Sequence, residues 1–146
     1  MVCQDPDVER VNIETSIGYA LKRTATALRV AMEASLRAHG LSVPQYSCLE
    51  ILRARPGLSN ADLARGVFVT RQAMHQLLGG LQQADLVSAR GQDRAQRYWL
   101  TSHGERTIEV ASADVAAVEE RMLSGLPAPE RQRLLADLQA CTSALE

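Results

Sequence analysis

Between Ser59 and Thr101 the sequence sets two short helix signals and a hairpin signal end to end, and that block constrains the fold more than any other feature. Ser59 and Asp62 stand three apart, as the hydroxyl and carboxylate of a capping box do. They open the stretch SNADLARG, which Gly66 is expected to close. After GVFV, Thr70 is placed to cap the next helix. On a helical period Ala73, Met74, Leu77, Leu78, Leu81 and Ala84 share one arc, and Arg71, Gln72, His75, Gln76, Gly79, Gly80, Gln82 and Gln83 share the other. Two short helices joined in this way form a helix-turn-helix pattern. Val87–Arg90 and Gln96–Leu100 then read as strands around the tight turn GQDRA. Alternation puts Val87, Ala89, Tyr98 and Leu100 on one face and Ser88, Arg90, Arg97 and Trp99 on the other.

Longer helices flank the block. Ile17, Leu21, Ala25, Leu28, Met32 and Leu36 recur every three or four residues, a helical stripe ending near Gly40. Ser42 and Gln45 form a second capping-box pattern with Pro44 in the first turn, so a helix follows with Tyr46, Leu49 and Leu52 inward and stops at Pro56-Gly57. Ser102 and Glu105 predict a third capping box. Beyond it Ile108, Ala111, Val115, Val118 and Met122 make a coiled-coil-like seam. GLPAP breaks that helix, and a last one carries Leu134, Leu138, Cys141 and Leu145.

A chain of 146 residues suits one domain, and 46% hydrophobic content gives it enough apolar surface for a core without disulfides. Cys3, Cys48 and Cys141 are odd in number and match no disulfide or zinc spacing, which predicts a reducing cytoplasm. The opening MVCQDPDVER lacks the apolar core of a signal peptide, and no apolar run approaches a membrane span. No phosphate-binding glycine loop, nucleophile elbow or ligand-spaced His and Cys pairing is present, so neither enzyme nor cofactor nor metal is expected. Ser102 beside His103 is a helix start, and His39, His75 and His103 lie far apart.

The net charge of −1 conceals a segregation. From Thr70 to Arg97 four arginines, Arg71, Arg90, Arg94 and Arg97, face only Asp85 and Asp93. From Glu105 to Arg121 five acids face Arg106 and Arg121. The polar arc of the Thr70 helix has no acid and is rich in groups that read base edges in a major groove. Arg94 sits in the hairpin turn with Arg90 and Arg97 beside it, as in a wing whose arginine enters a narrow minor groove. A solvated helix face would look much the same, and a winged helix that binds only protein remains open, as does a thiol-based peroxide sensor.

With these residues in place, the chain resembles the multiple-antibiotic-resistance regulator (MarR) family of dimeric winged-helix repressors. The resemblance spans Ile17 to Leu145 and rests on LSVPQYSCLEIL, on LSNADLARGVFVTRQAMHQLLGGLQQADLV and on the wing closed by LTSHG. It implies a mainly α fold with a small β-hairpin: a dimeric winged helix-turn-helix with long N- and C-terminal dimerisation helices. Within a single domain of residues 1–146, residues 42–101 form the DNA-binding part, and 10–38 with 102–146 the dimerisation helices. Thr70, Arg71, Gln72, His75 and Gln76 are expected at the major groove of a pseudo-palindromic operator, and Arg90, Arg94 and Arg97 on the wing. A small aromatic or anionic effector is expected between the first, second and fifth helices, with Tyr19, Arg23 and Tyr46 as candidate contacts. The sequence departs from the family pattern in four places. Gln92 stands at the usual acidic wing position, with Asp93 one residue late. Gly79-Gly80 replaces a charged pair, and Asp85 a turn glycine. Gly18 occupies the place of the hydroperoxide-sensing cysteine.

Overall fold

A computed structural model describes residues 9–146. Its elements are α1 (Ile17–Leu36), a 3-10 turn (Arg37–His39), α2 (Val43–Ala54), α3 (Asn60–Val67), α4 (Arg71–Gln83), β1 (Val87–Arg90), β2 (Arg97–Leu100), α5 (Ser102–Met122) and α6 (Ala128–Leu145). A second 3-10 turn, Asp93–Ala95, joins the strands. Among the described residues no helix is long and apolar enough to cross a membrane.

The punctuation read from the sequence largely operates. Both expected capping boxes at Ser42–Gln45 and Ser59–Asp62 form, because each hydroxyl accepts a backbone N–H that the first helical turn leaves unpaired. Gly40 closes the first helical segment with φ 66°. Three expectations are corrected. The α5 helix starts one residue early: Thr101, not Ser102, is the cap, its hydroxyl accepting from the N–H of Gly104. From that position the Thr101 hydroxyl also donates to the Asp85 carbonyl. The α3 helix does not close at Gly66 but runs to Val67, with Phe68 taking the left-handed position. Gly66 instead serves packing, since a Cβ there would lie 2.8 Å from Ile51 Cδ1 on α2. The second strand starts at Arg97, not Gln96.

The core joins α2, α3, α4 and the hairpin to the near ends of α1 and α5. Leu36, Leu49, Leu52, Leu63, Met74, Leu78, Leu81 and Ile108 are its fully buried large side chains. On α4 the arc of Met74, Leu78 and Leu81 is buried as its period predicts, whereas Ala73 and Ala84, at the arc's margins, are exposed. The hairpin pairs Val87 with Leu100 and Ala89 with Tyr98, Val87 and Tyr98 being buried. Leu58 adds an isolated bridge to Tyr98, so the sheet is pinned to the loop after α2. The outer stripes are different. Ile17 and Leu21 on α1, Met122 on α5, and Leu134, Leu135 and Leu138 on α6 remain exposed in the protomer.

Candidate nucleic-acid interface

The site is built on two helix starts and the wing. Thr70 caps α4 through its hydroxyl, which accepts from the N–H of Ala73 at 3.0 Å. Arg71, Gln72, His75 and Gln76 follow on the exposed side of the helix. The start of α3 is tied to the start of α4: Asn60 Nδ2 donates to the Arg71 carbonyl at 3.1 Å, while Asn60 Oδ1 is buried without a partner. A cleft of about 870 Å³ opens between these helix starts and the hairpin, lined by Ser59, Asn60, Arg71, His75, Asp93 and Arg94 among others. The structure therefore brings Arg71 and His75 of the helix together with Arg94 of the wing tip. Gln72 and Gln76 lie on α4 outside the cleft lining.

Arg90 and Arg97 are cross-strand partners in the hairpin, each held by a different neighbour. The Arg90 guanidinium stacks over the Trp99 ring, 4.9 Å from its centroid. Trp99 in turn packs on Gly57, where an added Cβ would lie 3.1 Å from the indole. Arg97 approaches Asp62 Oδ2 at 3.8 Å. That carboxylate also accepts from the Ser59 hydroxyl at 2.8 Å and pairs with Arg65. The Ser59 hydrogen bonds, then the two arginines, hold the Asp62 carboxyl below the usual range. Arg97 is thus partly neutralised, whereas Arg94 has no acidic partner among the described residues. The sequence pattern marks Asp62 only as a capping partner and gives Asn60 no role. Their signal is position alone: both sit in the first turn of a helix whose start faces the wing.

The residues considered for an effector separate. Tyr19 and Arg23 share the outer face of α1, the guanidinium 6.0 Å from the ring centroid, along a shallow groove of about 410 Å³ that also includes Lys22. Tyr46 lies elsewhere, 8% exposed in the α2 core. Its hydroxyl donates to Glu50 Oε1 at 2.9 Å, and burial pushes its pKa up to about 12. Burial also pushes the Cys48 thiol up to about 12, a poor nucleophile at neutral pH. Cys141 is exposed on α6, and Cys3 lies outside the described residues. Among the described residues no three His, Cys, Asp or Glu side chains gather as metal ligands.

Residues 39–97 match the MarR family. The HTH-type transcriptional repressor Rv2887 of Mycobacterium tuberculosis H37Rv is 36% identical over 122 residues, 82% of this chain and 88% of that one. The chain belongs to the MarR family. Its fold follows MarR structures closely. A MarR regulator from Silicibacter pomeroyi superposes with TM-score 0.85 at 26% identity, covering 94% of this chain and 97% of that one. Rv2887 in complex with DNA superposes with TM-score 0.74 at 38% identity, covering 85% and 98%. Rv2887 with salicylic acid gives 0.73 at 35%, covering 87% and 96%. The hairpin is therefore a MarR wing, and MarR proteins are transcriptional regulators.

Proposed function

We propose that this MarR protein is a dimeric transcriptional repressor that binds a pseudo-palindromic DNA duplex and is released by a small aromatic or anionic effector. One observation carries the DNA reading: the acid-free first turns of α4 and the wing-tip Arg94 open on the same cleft. A sugar–phosphate strand laid in that cleft puts α4 in a major groove and Arg94 at the neighbouring minor groove. The relative solved with DNA supports this reading, and the relative solved with salicylic acid supports the effector. Within the interface Arg71 and Arg94 serve phosphates and groove shape, while Gln72, His75 and Gln76 serve base edges. Thr70 caps the reading helix, Arg90 adds charge at the wing edge, and Arg97 braces the wing. The DNA-binding part is assigned to residues 42–101, and dimerisation to 10–38 and 102–146. The reading assigns no catalytic role and places the protein in the cytoplasm, with its DNA.

The test is titration of a duplex selected by the protein from random-sequence DNA, across a range of salt. Affinity should fall linearly on a log–log plot as counterions are displaced. Arg94→Ala should lower the slope and weaken all duplexes similarly. His75→Ala should instead relax preference at particular base pairs, by about 1–3 kcal/mol where the contact is to a base edge. No selected duplex, or binding indifferent to salt, overturns the reading.

A further inference from the structure

We infer that Arg131 is the positioning residue that fixes the angle of α6 to α5, and through it the spacing of the two recognition helices in the dimer. The inference rests on the dimeric reading above. Every residue of α6 is exposed in the protomer except Arg131, which is half-buried. Its guanidinium makes four hydrogen bonds at the α5–α6 corner: to Glu120 Oε2 at 2.7 Å and Oε1 at 2.9 Å, to the Leu123 carbonyl at 3.0 Å and to the Leu126 carbonyl at 2.8 Å. The two carbonyls belong to the end of α5 and the loop beyond, where helical partners have run out. The planar fork of Arg meets the carboxylate and both carbonyls at once, which the single ammonium of Lys cannot do. The start of α6 has no side-chain cap of its own, so this clasp does the fixing there.

The apolar residues Leu134, Leu135 and Leu138 lie beyond the clasp and are exposed, so α6 is a lever whose fulcrum is Arg131. A helix of 18 residues is about 27 Å long. A swing of about 10° at its base moves the far end by about 5 Å, more than the ~3.4 Å step between base pairs. Loosening the corner therefore blurs both the dimer and the half-site spacing it accepts.

The experiment uses the full chain as wild type, Arg131→Met, Arg131→Lys and Glu120→Gln. Sedimentation equilibrium reads the dimer dissociation constant, and duplexes with the selected half-site spacing, or one base pair more or fewer, read spacing preference. Arg131→Met should raise the dissociation constant at least tenfold and at least halve the spacing preference, with helical circular dichroism retained. Arg131→Lys and Glu120→Gln should fall between, and they decide the matter where Arg131→Met misfolds. A dimeric wild type whose variants dimerise and discriminate spacing within twofold of it overturns the inference and leaves the dimer reading standing. A monomeric wild type overturns both.

Discussion

Two residues in left-handed backbone bracket α4, and neither is glycine. Phe68 has φ 63° at the end of α3, and Asp85 has φ 59° after α4. In both, the next N–H reaches back five residues, Val69 to the Ala64 carbonyl and Leu86 to the Leu81 carbonyl, which is the closure that suits glycine. A Cβ in that region costs on the order of 1 kcal/mol. Phe68 recovers nothing by burial, because its ring is 92% exposed. Phe68→Gly and Asp85→Gly should each raise stability by about 0.5–1 kcal/mol, seen as a higher urea midpoint with unchanged slope. A lower midpoint would mean that either side chain makes a contact outweighing the strain. Gly79 and Gly80 are a different case. A Cβ at either meets nothing within 4 Å, so neither is there for close packing within the protomer.

At the scale of elements, the decisive joint is where α4 ends and α5 begins. Thr101 donates its N–H to the Leu86 carbonyl at 3.1 Å and its hydroxyl to the Asp85 carbonyl, while capping α5. Gly104 lies so close beneath that a Cβ would sit 2.0 Å from the Leu86 carbonyl oxygen. Gly104→Ala should therefore force the joint apart and lower stability by about 3 kcal/mol, the upper range for overpacking, read by chemical denaturation. The wing-to-α3 brace gives an acid-dependent prediction. The Asp62 carboxyl is lowered in the folded state, so its contribution is fully present above its unfolded pKa of about 3.9 and is lost as pH falls through the lower folded value. Thermal melts should show a shallower loss of stability below pH 4 in Asp62→Asn than in wild type. Equal acid limbs would mean that Asp62 does not stabilise the brace. Helix starts were readable because Ser42, Ser59 and Thr70 act within three residues of themselves. Local spacing puts the α5 cap one residue late, at Ser102, because the Asp85 carbonyl that Thr101 also engages is brought close only by the tertiary fold. The Arg97–Asp62 pairing and the Asn60–Arg71 link are of the same kind, contacts between elements that local spacing cannot show. The inward side of Tyr46 is legible from the α2 spacing and is borne out by its burial, whereas its separation from the Tyr19–Arg23 groove is visible only in the tertiary fold.

At the scale of the molecule, Arg71, Arg90, Arg94 and Arg97 gather on α4 and the wing, while α1, α5 and α6 carry the exposed apolar residues. The α1 stripe changes character along its length: Leu36 is buried in the protomer, whereas Ile17 and Leu21 are exposed. One helix thus runs from the protomer core into the proposed dimer interface, and the Tyr19–Arg23 groove lies on the exposed half. An effector there acts only through its preference for one spacing of the two α4 helices over another. Lys22 and Arg23 share the groove with the Tyr19 ring, which suits an aromatic carboxylate. Calorimetric titration with salicylate should show binding to the free protein and weaker binding to the protein–duplex complex, because coupling is reciprocal. The ratio of those affinities should equal the loss of duplex affinity when salicylate is saturating, within the ordinary range of about 5–150-fold. Arg23→Ala should weaken salicylate binding and leave the duplex affinity of the free protein unchanged, since Arg23 lies outside the DNA cleft. Equal salicylate affinity for free and duplex-bound protein removes it as an inducer. Unchanged binding in Arg23→Ala moves the pocket off this face of α1.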